Sequence, residues 1–247
     1  MAHEYAAPGW DTYRFDTRNA YAPIEPLADE IAAVEAGLVA LREDGVIPHL
    51  DYDHDKLLAH RQFVVDHFEM PWTAIGPRMQ RLIYALNAIT QPQVMIAAGV
   101  FCGNTFISNA GAAVGPGASY TASALIGVEI VPAEAERAER NTRRIDPTGV
   151  ARVVAADAVD VVTEWDGPIN LLYLDADGTP ETGKGIYLTI LEAAWDKLTP
   201  GALILAHNSI NCADALADYL RFVRETGPLR TSWNMKVDGE GLEVSLV

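Results

Sequence analysis

The sequence predicts an α/β protein: a doubly wound, mostly parallel seven-stranded sheet with a C-terminal antiparallel strand, preceded by an N-terminal helical extension. Three observations carry this prediction. From Gln93 onward, short apolar runs alternate with stretches of helical periodicity. Those runs are apolar throughout rather than at every second residue, as in strands buried on both faces by crossover helices. The chain then closes on TSWNMKV and LEVSLV, two strand-like runs joined by the turn DGEG.

Taken in order, residues 1–26 read as an irregular arm. Pro8, Gly9, Pro23 and Pro26 punctuate it, and Trp10, Tyr13, Phe15 and Tyr21 anchor it. Residues 27–44 place Leu27, Ile31, Val34, Leu38 and Leu41 on one helical stripe, which Gly45 ends. Further helices are predicted over 53–69 and over 77–90, the latter with Pro77 near its start. Residues 1–76 are therefore expected to be an arm with helices, and 77–247 the sheet-bearing domain. Predicted strands cover 93–99, 123–130, 151–157, 169–175 and 201–208. Predicted helices cover 105–113, 132–145, 158–164, 184–198 and 211–226.

Composition narrows the partners. Lys and Arg total 18 against 34 Asp and Glu, a formal charge of -16. Such a field repels phosphate backbones and anionic lipid, so neither nucleic acid nor membrane is an expected partner. A small neutral or cationic substrate suits it better. Cys102 and Cys212 are the two cysteines. The opening MAHEYAAPGWDTYRF lacks the basic and apolar regions of a secretory leader. A reduced, cytoplasmic protein is expected.

The chemistry concentrates where strands end. Ala97-Ala98-Gly99-Val100-Phe101-Cys102-Gly103-Asn104-Thr105 follows an apolar strand and opens a helix. Gly99 and Gly103 permit a tight turn and close approach to a ligand, with Phe101 and Thr105 beside them. The helix start beyond them can receive a carboxylate. An ordinary strand-to-helix turn has the same glycines, so the loop alone decides nothing. Glu129 ends the next strand, where its two oxygens can take both hydroxyls of a ribose. Asp157 ends the third and can receive an adenine amino group, with the Ala158 amide beside it, or simply cap the following helix. Glu129, Asp157 and Asp175 then face one crevice at the carboxyl edge of the sheet.

In its order of IAAGVFCGNT, GVEI, AADA, LLYLDAD and GALILAHN, the chain resembles the class I S-adenosylmethionine (SAM)-dependent methyltransferases, which have a Rossmann-like sheet. It is most similar to small-molecule O-methyltransferases of the catechol and caffeoyl-CoA type. The resemblance covers roughly residues 70–247. It implies SAM as cofactor, held by Gly99, Phe101, Gly103, Thr105, Glu129, Asp157, Ala158 and Asp175.

Departures from that family are specific. Ala97 stands where an acid commonly contacts the SAM amino group. Metal-dependent members hold Mg²⁺ with an Asp and an Asp-Asn pair; here Asp175 and Asn208 match, but His207 replaces the middle carboxylate. A hard ion prefers oxygen donors, so a divalent metal is not expected to be required, and the identity of any metal is left open. The family's lysine after the strand-four motif is replaced by Gly178.

Asp175, His207 and Asn208 are the expected catalytic residues. His207 is either a general base or a histidine hydrogen-bonded at a strand end. Tyr173 reads as core or pocket wall, and Cys102 as a small space-filling residue. Tyr13, Phe15, Tyr21 and Trp72 form either a lid over the SAM sulfonium or a homodimer contact. The expected function is methyl transfer from SAM to a small acceptor hydroxyl. The alternative keeps SAM but not methylation: cyclisation to azetidine-2-carboxylic acid and methylthioadenosine, or a pericyclic step on a SAM scaffold.

Overall fold

Apolar stripes become helices and apolar runs become strands along most of the chain. The computed structural model describes residues 3–247 and opens on β1 (His3–Ala6). Three helices follow: α1 (Leu27–Glu43), α2 (His54–His67) and α3 (Pro77–Thr90). The alternating part comprises β2 (Val94–Ala98), α4 (Asn104–Ala110), β3 (Ala124–Glu129), α5 (Pro132–Ile145), β4 (Ala151–Ala155) and α6 (Ala158–Glu164). It continues through β5 (Ile169–Leu174), α7 (Ile186–Ala194), β6 (Leu198–His207), α8 (Ala217–Arg221), β7 (Thr231–Lys236) and β8 (Leu242–Leu246).

Local chemistry sets the boundaries. Pro77 and Pro132 occupy the first turns of α3 and α5, where a missing N–H costs nothing. Gly45 ends α1 at φ +71°, donating to the Arg42 carbonyl while Val46 N–H reaches Leu41.

The sheet order is β1-β7-β8-β6-β5-β2-β3-β4. β8 is antiparallel to both β6 and β7, and every other pair is parallel. The expected mostly parallel sheet with an antiparallel C-terminal strand is present, and the arm adds an eighth strand to it. Residues 3–6 are thus not irregular: they pair with Trp233–Lys236. The charged, polar run His3-Glu4-Tyr5 carries no strand periodicity. What holds it is the free edge of β7, with Tyr5 Oη donating to the Ala33 carbonyl at 2.6 Å.

Strand alternation divides the interior in two. Met95, Leu125, Leu171 and Leu205 face α1, α3 and α4. Ile96, Ile126, Leu172 and Ile204 face α7 and α8. The chain leaves β2 toward β3 and β4, then returns to β5 on the other side of β2. That switch point opens a crevice above the carboxyl ends of the strands.

One predicted helix is much shorter than its periodicity. Residues 211–216 are turns, because this stretch is tied to the β7–β8 hairpin: Ile210 N–H donates to the Glu240 carbonyl at 3.0 Å. Beyond α8, residues 222–226 continue as a π turn. Among the described residues no helix is long and apolar enough to cross a membrane.

Candidate active site

A cavity of about 850 Å³ occupies the switch-point crevice. That volume lies in the range of small-molecule sites. Gly99, Phe101, Thr105, Glu129, Asp157, Ala158, Asp175 and Asn208 all line it, so most of the sequence-predicted residues converge there. Gly103 and His207 do not reach its wall.

The loop after β2 is shaped by its neighbours. Gly99 sits at φ +77°, and a Cβ there would lie 2.4 Å from the Ala176 Cα. The backbone crossing from β5 therefore requires glycine here, at a position that also lines the cavity. Gly103 sits at φ +92° against Ala138, so it shapes the turn without touching the cavity. Phe101 takes φ +47°, and its N–H donates to Glu129 Oε2 at 2.8 Å. Glu129 Oε1 accepts from Val131 N–H at 2.9 Å. With 8% exposure, that carboxylate is fixed by two amides, and each oxygen keeps a further acceptor position. Asp157 caps α6 by accepting from Val159 N–H at 2.7 Å; its other oxygen is free.

Asp175, at the end of β5, is the hub of the second half. Lys184 Nζ lies 3.0 Å from its Oδ1 and 3.1 Å from its carbonyl. His207 Nδ1 lies 3.4 Å from the same Oδ1. Burial opposes ionisation of Asp175, but the neighbouring His207 ring and Lys184 ammonium outweigh it and hold the carboxyl below its ordinary range. Burial likewise opposes a charged His207, and the Asp175 carboxylate, with Asp238 and Glu240 behind it, raises its pKa. His207 is fully buried at the end of β6. It stands beside Asp175 and away from the cavity wall, a place that suits the second of its two expected readings, a histidine held at a strand end, better than a base in contact with an acceptor.

Asn208 follows at φ +65°, and its Nδ2 donates to Glu240 Oε2 at 2.9 Å. Asn211 donates to the same oxygen. Burial raises the pKa of Glu240, and His207 opposes that shift.

Other aromatic and thiol expectations resolve simply. Tyr173 is buried core. Burial pushes the Cys102 thiol up to about 11, so it fills space and is not a thiolate. Of the four aromatic lid candidates, Trp72 lines the cavity, its ring 4.8 Å from Phe101. Tyr13 packs under Arg78, Phe15 over Gly76, and Tyr21 donates to Asn104 Oδ1 at 2.6 Å.

Comparison with known proteins matches this geometry. Residues 96–209 match the family model described as a methyltransferase domain. Residues 96–209 therefore carry a methyltransferase domain. A catechol O-methyltransferase of Niastella koreensis is 27% identical over 165 residues, covering 65% of this chain and 69% of that protein. The SAH-bound methyltransferase PaMTH1 of Podospora anserina has the same fold, with a TM-score of 0.62 at 13% identity, covering 92% of this chain and 99% of that one. So does an O-methyltransferase of Bacillus cereus in complex with SAH, at 0.58 and 16%, covering 88% and 99%.

The site of this methyltransferase fits SAM. Glu129 offers a fixed diol acceptor, Asp157 a free oxygen, and the acidic wall suits a cationic sulfonium. It does not fit a divalent ion. Asp175 Oδ1 already faces the Lys184 ammonium and the His207 ring, and the Asn208 amide is turned to Glu240. A hard ion needs free carboxylate oxygen, and the one that Asp175 would offer is already occupied by the Lys184 ammonium.

Sequence reasoning missed Lys184, Asn211 and Glu240. Gly178 does replace the family's lysine, but Lys184 reaches Asp175 from a loop closed by Gly178 N–H donating to the Gly183 carbonyl at 2.9 Å. The one local signal was a lysine between two glycines, Gly183 and Gly185. Glu240 was hidden in a hairpin turn.

Proposed function

We propose that this methyltransferase moves the SAM methyl group to a hydroxyl of a small neutral or cationic acceptor. The observation that carries the reading is a single cavity bordered at one end by Glu129 and Asp157 and at the other by Asp175, Lys184, Asn208 and Glu240. Glu129 would take the ribose hydroxyls, and Asp157 with the Ala158 amide the adenine edge. Trp72, beside Phe101, would cover the sulfonium.

The reaction is an in-line displacement, so holding the acceptor oxygen opposite the methyl carbon supplies most of the acceleration. His207 orients Asp175, and Asp175 orients Lys184. Catechol, from the name of the Niastella koreensis relative, is the first acceptor to try. The comparisons favour methylation over SAM cyclisation.

A cytoplasmic homodimer without nucleic-acid or membrane partners completes the proposal. Free Cys102 and Cys212 support the compartment, and the charge of -16 supports the absence of nucleic-acid and membrane partners. Incubation with SAM and a panel of phenols and alcohols, read by mass spectrometry, tests it. Growth of S-adenosylhomocysteine (SAH) with a methylated product is expected. Methylthioadenosine formed without any acceptor would sink the methylation reading.

A further inference from the structure

We propose that the Lys184 ammonium stands where a divalent cation would be needed and itself binds the acceptor oxygen, so that methyl transfer proceeds without a metal. This rests on the methyl-transfer reading above. The geometry around Nζ carries it. An ammonium has three N–H donors. Two face Asp175, toward Oδ1 at 3.0 Å and the carbonyl at 3.1 Å. Asp177 Oδ1, at 3.6 Å, lies outside hydrogen-bond reach, so the third donor is left for a ligand. The Tyr187 ring, 5.5 Å away, backs the charge. Lys184 is 13% exposed and lines the cavity, so its head is held rather than solvated.

The charge balance gives this cation its purpose. Glu129, Asp157, Asp175, Asp177 and Glu240 line the same cavity, and among the described residues Lys184 is the one Lys or Arg that lines it. In that field an acceptor oxygen developing negative charge would be repelled everywhere except beside Nζ. Fixed donors aimed at developing charge are worth most in such sites. In the step itself, the hydroxyl proton leaves to water and the oxygen lone pair bonds to the methyl carbon. The carbon–sulfur pair stays on sulfur, giving the methyl ether and SAH. The ammonium keeps its protons throughout.

Two measurements test this, one of them independent of any acceptor. Mn²⁺ titrated calorimetrically into the SAH complex should bind Lys184→Ala at least about tenfold more tightly than wild type, because Asp175 loses its resident cation. Equal Mn²⁺ affinity in the two proteins overturns the proposal. In turnover with catechol, wild type should be insensitive to EDTA. Lys184→Met should lose about 10²-fold in kcat with SAM affinity unchanged, and Lys184→Arg should recover part of it. EDTA inhibition reversed by a divalent ion, or full activity in Lys184→Met, overturns it. If no acceptor is methylated by wild type, the functional reading fails, while the Mn²⁺ titration still decides the role of the ammonium.

Discussion

Two histidines, one in the helical layer and one at the carboxyl edge of the sheet, are buried to the same degree and titrate in opposite directions. His60, on α2, packs against Gly111, Gly117 and the Tyr84 ring, with neither ring nitrogen hydrogen-bonded. Burial, reinforced by the Arg61 cation, lowers its pKa to about 4. His207 meets the same burial cost with its ring nitrogens equally unpartnered, but the Asp175 carboxylate 3.4 Å away reverses the shift. Their surroundings differ in the same sense. Beside His60, one oxygen of the Glu30 carboxylate takes both Arg81 Nε at 2.6 Å and Arg61 Nη1 at 2.9 Å. Around His207, three acids face one histidine and one lysine, with a cavity beside them. Neither cluster is charge-balanced, but the one around Glu30 is closed off within the helical layer and serves packing, whereas the one around Asp175 borders a cavity and retains capacity for a ligand.

The comparison can be broken most forcefully at Glu30. Glu30→Gln leaves two guanidiniums buried without their carboxylate and should cost about 3–5 kcal/mol in denaturant unfolding. SAM affinity measured on the same variant should change little, since the cluster does not line the cavity. A loss of SAM binding without a loss of stability would mean the helical layer is part of the site.

Acid sharpens the contrast. His60 has a depressed folded pKa, so the unfolded chain takes up its proton first. Stability should fall as pH drops from about 6.5 toward 4, by at most about 3 kcal/mol. His60→Phe should flatten that limb of a melting-temperature profile. The His207 contribution has the other sign: it is present in full below about 6.5 and fades as pH rises through its elevated folded value.

Removing the carboxylate should make the second histidine resemble the first. In Asp175→Asn only burial acts strongly on His207, so its NMR titration should move downward, and kcat should fall by about 10²-fold. A His207 titration that stays put would show that Asp238 and Glu240 set its charge. The smallest effect is expected at Glu129. Glu129→Gln keeps one acceptor oxygen and should weaken SAM binding by about tenfold in calorimetry.

Much of this was legible in the chain. Gly99, Glu129, Asp157 and Asp175 were readable because each ends or follows an apolar strand. In a parallel sheet all such ends lie on one edge, so local periodicity alone brings them together. β1 was not legible, because His3-Glu4-Tyr5 has no strand pattern and is held by the free edge of β7. Lys184 was missed for a related reason: its place depends on how a glycine-rich loop folds back nine residues after Asp175, which no spacing rule encodes.

His207 marks the boundary. Its residue type and its position after an apolar strand were plain in the sequence, and they left open a base facing the acceptor or a histidine held at the strand end. Only packing could place it behind Asp175, because whether a strand-end side chain meets solvent depends on what folds over it. Here the β7–β8 hairpin, with Asp238 and Glu240, closes above His207 and leaves Asp175 and Lys184 on the wall. The sequence by itself determined the layer architecture and the edge that carries the site. Tertiary structure alone decided which charged groups on that edge meet, and burial together with their mutual distances set the charge each one carries.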